Sequence, residues 1–361
     1  MTTNVLHRWA PPGRIALRAA ALGSGPLVLA VCVMLWLKLG KAMNDFRTAF
    51  YPAGLAVLHG HSPYPAHLDV HRTMPFVYPA VGAWLYAPLA LFRYDVAAGV
   101  YFVSMIVCLV AALLVLGVRD PRCYTVILLW PAVLDGLESG AVGSLFVLGL
   151  AVVWRYRDRD AIWVVAALMG AVKLFVWPLG LYLLYTRRWR ALGVSAASGL
   201  GFLLLPWAAI GFDGLRAYPH LLTLLAGQEA TWSLRTANLA LAIGLPSAAG
   251  YALAAGLAVL AFSVRHDQRM LMTVCVVISL AACPILWPHY FMLLLVPVAL
   301  RSPRLSGIWF VPLVGFLGPD TAHGLATEAT VVWWAFTLVM TAVMLRPATA
   351  RPAHAVAVAQ T

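Results

Sequence analysis

Residues 44–88 read NDFRTAFYPAGLAVLHGHSPYPAHLDVHRTMPFVYPAVGAWLYAP and follow the first long apolar run, 19–37. The stretch opens on one acid, Asp45, at the mouth of that run. An amphipathic segment, a histidine-rich polar turn and a Tyr-Pro-bearing apolar run come next. Two readings of Asp45 stand open. Asn44 and Asp45 are both favoured residues for capping a helix that starts near Phe46. A half-buried carboxylate beside a bilayer is also suited to act as a general base, because burial raises its pKa.

The surrounding composition makes the setting a membrane. Of 361 residues, 63% are hydrophobic and only 11% charged, with a mean hydropathy of +0.87. Soluble domains carry about 25% charged residues. An all-α, polytopic helical bundle is therefore expected. The net charge of +12 is spread as short Lys/Arg clusters between apolar runs, so a nucleic-acid partner is not expected. Cys32, Cys108, Cys123, Cys275 and Cys283 form no CxxC pair and read as small buried hydrophobes.

Thirteen apolar runs are candidate spans. The basic clusters 119/122, 155–159, 187–190, 265/269, 301/304 and 346/351 fall on one side if the 76–92 run stays at the outer interface. Seventeen of the 25 Lys and Arg then lie inside, as the positive-inside rule favours. The reading is about 12 transmembrane helices in a plasma membrane, with both termini inside and a retained first helix. One membrane domain covers 1–346 and a disordered tail covers 347–361. The 161–186 run is basic at both ends with Lys173 in its middle. Two half-helices turning at Lys173 on the outer side satisfy both features.

The outer polar residues are the candidates for chemistry. Lys173, His289 in CPILWPHY and Arg235 in TWSLRTAN can hold an anion such as phosphate. Tyr64 and Tyr78 lie on the first outer loop. Asp135 and Glu138 sit in LDGLESGAVGS, where they either orient substrate hydroxyls or belong to a solvated turn. Arg47 directly follows the Asp45 region. His59, His61, His67 and His71 lack a ligand geometry, so no metal is expected. No nucleotide motif is present, and a transferred sugar would need a lipid-linked donor. Intramembrane charges would also suit a lipid or solute transporter, but no internal repeat is visible.

The segments FRTAFYPAGLAVLHGHSPY, FVYPAVGAWLYAPLALF, ESGAVGSLFVLGLAVV, ALMGAVKLFVWPLGLYLLYTRRWRAL and CPILWPHYFMLLLVP, in this order, resemble glycosyltransferase family 87. That family belongs to the GT-C superfamily of multispanning glycosyltransferases. The resemblance implies a polyprenyl-phosphate-mannose type of donor, a glycolipid or glycan acceptor, no cofactor, and inverting transfer to an α-mannoside, often α-1,2. It implies Asp45 as the base, Lys173 near the lipid phosphate and His289 in the late outer loop. The chain departs from the family at Gly140-Ala141-Val142-Gly143, where Gly-Gln-x-Asn is usual, at Tyr78-Pro79-Ala80 and at His289-Tyr290. Those departures keep a third reading open, an inactive member serving as a scaffold.

Overall fold

The computed structural model describes residues 12–64, 76–228, 232–318 and 326–346. All regular structure among them is helical. In chain order the α-helices are α1 (Pro12–Lys38), α2 (Tyr51–Leu58), α3 (Ala80–Ala90), α4 (Tyr94–Val115), α5 (Pro121–Ile127), α6 (Pro131–Ser139), α7 (Gly143–Arg155) and α8 (Trp163–Val172). They continue with α9 (Leu179–Tyr185), α10 (Trp189–Ala209), α11 (Tyr218–Gln228), α12 (Thr236–Ala242), α13 (Ala249–Ser263), α14 (Gln268–Ala281), α15 (Leu295–Arg301) and α16 (Ala326–Met344). A π-helical turn covers Phe46–Phe50, and 3₁₀ segments cover Pro288–Leu294 and Gly307–Leu317.

Most of these helices are short. Two, α4 and α10, are long and apolar enough to cross a bilayer alone, and a third span results if α6 and α7, bent by 120°, count as one. Proline, glycine and 3₁₀ breaks divide the apolar runs, so the length of a run does not translate into one straight helix. The run at 307–318, expected to span as a helix, is 3₁₀ from Gly307 to Leu317 with Pro312 inside it. The 76–92 run forms the 11-residue α3, which packs along α2. Gly54 permits that approach, since a Cβ there would lie 2.9 Å from the Tyr86 carbonyl carbon and oxygen.

The core is built on α14. Every residue from Leu271 to Ala281 is buried, the pattern of a helix apolar all round and enclosed by protein. Asp267 caps it, accepting from the backbone N–H groups of Arg269 and Met270. The segment from His289 to Ala299 is likewise buried.

The run centred on Lys173 folds back on itself. At its start, Trp163 stacks on Tyr182 of α9 with ring centroids 5.4 Å apart. Arg188, past the end of α9, pairs with Asp158 at 2.6 Å and donates to the Arg157 carbonyl. Both ends of the run therefore meet, with Lys173 at the far turn. Arg157 also reaches across to Gln268 at the start of α14 at 2.7 Å. The beginnings of α8, α10 and α14 thus gather around one arginine cluster, opposite the turn at Lys173. The expected tail at 347–361 lies outside the described residues, as do His67, Asp69 and His71.

Candidate active site

The chain leaves α1 through Met43, a non-glycine residue at φ 54°. That left-handed kink turns the backbone into the short helical stretch 44–50. Aromatic packing fixes this stretch. Phe46 is fully buried and stacks on Tyr101 at 5.0 Å, and Phe50 stacks on Tyr86 at 4.7 Å. The Tyr86 and Tyr101 hydroxyls share a hydrogen bond at 3.1 Å. Such ring pairs are worth about 0.5–1.5 kcal/mol each beyond the area they bury. Gly140, the C-cap of α6, backs the stretch at φ 76°, and a Cβ there would lie 2.9 Å from the Phe46 Cβ.

Asp45 rides on this anchored turn. It adopts right-handed helical angles and makes no side-chain capping bond, so the capping reading fails. Its carboxylate instead lines a cleft of about 230 Å³ with Phe50, Tyr78, Asp135, Ser139, Lys173, Trp287, His289 and Tyr290. These residues come from five separate regions of the chain. Burial pushes the Asp45 pKa up, the nearby His289 and Lys173 oppose that shift, and Asp135 adds to it.

Lys173 follows α8 in an extended conformation, φ −146° and ψ 105°. Its Nζ donates to the Tyr78 hydroxyl at 2.7 Å and sits 3.8 Å from the centre of the Tyr290 ring. A cation over an aromatic face is stabilised by about 0.5–2 kcal/mol. The Tyr78 peptide is held in turn. Its carbonyl accepts from the Tyr64 hydroxyl at 2.8 Å, and the Val77 carbonyl accepts from the Tyr218 hydroxyl at 3.0 Å. Tyr64 stacks on Trp207 at 5.0 Å.

His289 is buried at the start of the 3₁₀ segment that Trp287 and Pro288 open. One oxygen of Asp135, Oδ2, accepts from its backbone N–H at 3.1 Å and lies 2.8 Å from Nδ1. A carboxylate acceptor assigns the proton to Nδ1 and leaves Nε2 as the second functional nitrogen. Beneath the pair, Met292 fills the space beside α7, and a Cβ at Gly143 would lie 2.6 Å from its Sδ. A side chain at position 143 would require the Met292 thioether to move.

The structure thus brings Asp45, Tyr78, Asp135, Lys173 and His289 together. It places three other expected site residues elsewhere. Tyr64 stands behind Tyr78 and does not line the cleft. Glu138 interacts electrostatically with Cys32 of α1 and is not among the residues that line the cleft. Arg235 precedes α12 and bonds Asn238 at 3.3 Å, outside the cleft lining. Tyr290 is the residue that sequence reasoning missed. At 3.0 residues per turn a 3₁₀ segment sends neighbouring side chains in different directions, so His289 and Tyr290 reach the same cleft from two sides.

Fold and cleft together define an all-helical, lipid-compatible protein with one acid, one caged lysine and one carboxylate-backed histidine around a small polar cleft. The chain belongs to glycosyltransferase family 87, whose model matches residues 76–297. The match contains Tyr78, Asp135, Lys173 and His289 and begins after Asp45. A polyprenol-phosphate-mannose-dependent alpha-(1-2)-phosphatidylinositol pentamannoside mannosyltransferase of Mycolicibacterium smegmatis is 29% identical over 163 residues, covering 41% of this chain and 38% of that protein. No solved structure matches.

Proposed function

We propose that the protein is an inverting membrane glycosyltransferase that moves a mannosyl or related residue from a polyprenyl-phosphate sugar to a glycolipid or glycan acceptor. The observation that carries this reading is the convergence of Asp45, Lys173 and the Asp135–His289 pair on one cleft. A lipid phosphate is already a competent leaving group, so a base for the acceptor hydroxyl and cations for the phosphate suffice.

In the proposed reaction the acceptor oxygen attacks the anomeric carbon as Asp45 takes its proton. The bond from that carbon to the phosphate oxygen breaks on the opposite face, and its electron pair leaves with the polyprenyl phosphate. The new linkage is therefore inverted. Lys173, with one N–H engaged by Tyr78, offers its remaining donors to the phosphate. When its ring is protonated, His289 keeps Nδ1–H on Asp135 and offers Nε2–H to the phosphate. The α-1,2 linkage is proposed by analogy with the relative's name.

Side and membrane are part of the same proposal. The cleft lies at the opposite end of α8 and α14 from the arginine cluster around Arg157 and Arg188. Placing those arginines in the cytoplasm puts the cleft on the outer face. Twelve crossings with both termini inside, in a plasma membrane, complete this topology. From Asp160 to Lys173 the chain rises only about 20 Å at 1.5 Å per residue, less than the ~30 Å hydrocarbon layer. The cleft then sits below the outer surface, where a lipid phosphate can slide in laterally. Membranes carrying the protein, given labelled polyprenyl-phosphate mannose and polyprenyl-phosphate arabinofuranose with lipid acceptors, test the reading. Sugar transferred to a lipid supports it, and none from either donor argues against it.

A further inference from the structure

A second cavity, about 440 Å³, opens between α1 and α4 on the other side of the 43–47 turn. Trp36, Leu37, Met43 and Phe102 give it apolar walls, and Leu37 is 66% exposed. Arg47 lines it. Its Nη2 donates to the Gly40 carbonyl at 3.0 Å and to Asn44 Oδ1 at 3.1 Å, both neutral acceptors. None of the ion pairs between described residues involves Arg47. Asp95 lines the same cavity but is exposed in the first turn of α4, where water and the helix N-terminus stabilise its charge.

Asp45 and Arg47 are two residues apart on one helical turn, so they point to nearly opposite sides. Asp45 lines the cleft and Arg47 lines the groove. The apolar walls match a hydrocarbon chain, and the guanidinium at the same site matches a phosphate. In the mechanism above, Lys173 and His289 take the donor phosphate, which leaves Arg47 for a second anionic lipid.

We infer that this groove seats the acceptor: an anionic phospholipid whose chain lies between α1 and α4, whose phosphate sits on Arg47, and whose reacting hydroxyl reaches Asp45 across the turn. The acceptor role rests on the assignment of Asp45 as the base. The reacting hydroxyl is then on the order of 10 Å from the lipid phosphate, the width of one helix.

The full-length protein in phosphatidylcholine nanodiscs, titrated with dioleoyl phosphatidylinositol and read by native mass spectrometry, tests the groove. Arg47→Gln removes the cation. Gly99→Leu fills the groove, since a Cβ at Gly99 meets nothing within 4 Å and the residue lines the cavity. Gly256→Leu on α13, where the space is equally open, is the control. Both groove variants should weaken phosphatidylinositol retention by about tenfold, and the control should match wild type. Excess inorganic phosphate should not displace the lipid. Equal retention in all variants, or displacement by inorganic phosphate, overturns the groove assignment. Transfer assays separate the two proposals. Asp45-dependent transfer that Gly99→Leu leaves untouched sinks the groove alone. Retention lost in Arg47→Gln, with transfer that persists in Asp45→Asn, leaves a lipid site and sinks its role as acceptor site together with the base.

Discussion

A single oxygen of Asp135 accepts from both the backbone N–H and the ring Nδ1 of His289, at 3.1 and 2.8 Å. The residues are 154 positions apart, and the pair ties α6 to the turn that closes the cleft. Sequence reading left Asp135 between orienting substrate hydroxyls and a solvated turn. The two bonds make it a residue that orients the His289 ring.

Asp135→Asn keeps the shape and removes the charge. An amide that presents its NH₂ to Nδ1 reverses the tautomer, and one that presents its oxygen gives a weaker, neutral bond. The turnover rate should fall about 10–100-fold, the usual effect of removing a supporting partner, with the lipid-donor KM changed less than kcat. Steady-state kinetics check this. A variant with wild-type kcat would return Asp135 to a role in binding alone.

If Asp45 is the base, as proposed, the acid limb of the rate profile should report it. A base works only when deprotonated, and burial holds the Asp45 pKa above the ordinary value of about 4. Activity should therefore fall as pH drops through that raised value, at higher pH than for a solvated aspartate. Lys173 opposes the upward shift, so Lys173→Gln should move the limb to still higher pH while lowering the maximal rate. The pH dependence of kcat/KM in both proteins decides it.

Tyr290 and Tyr78 hold Lys173 by different means, a ring face and a hydroxyl. Tyr290→Phe keeps the ring and should retain activity within about threefold, whereas Tyr290→Leu should weaken donor use about 5–30-fold, matching about 1–2 kcal/mol of cation–π contact. Tyr78→Phe removes the hydrogen bond and leaves Nζ free to move. Donor KM across the three variants is the readout.

Gly140 links fold and site. Its φ of 76° disfavours any Cβ, and that Cβ would press on Phe46, next to Asp45. Gly140→Ala should cost about 1–2 kcal/mol from the backbone alone and more from the crowding. It should also lower kcat by shifting Asp45. Thermal unfolding in detergent, paired with turnover, separates the two effects.

The sequence made part of this readable. Asp45 and Lys173 stood out because charged residues are scarce in a chain this apolar, and His289 because it follows the helix-breaking Pro284 and Pro288. The fold-back at Lys173 was legible from arginines at both ends of its run. Arg235 and Glu138 looked equivalent to them in composition, but Arg235 bonds Asn238 locally and Glu138 interacts with Cys32 on α1. Tyr290 was noted only as a departure from the family pattern, and its place beside Lys173 needed the 3₁₀ geometry. The helix lengths were not legible, since breaks at residues such as Pro178 and Pro288 divide apolar runs into short helices.

The most direct test is Asp45→Asn in the purified protein, with labelled polyprenyl-phosphate mannose and a lipid acceptor. Donor retention should stay near wild type while sugar transfer falls at least about 10²–10⁴-fold, the range for a lost general base. Transfer at near wild-type rate would show that this carboxylate is not the base.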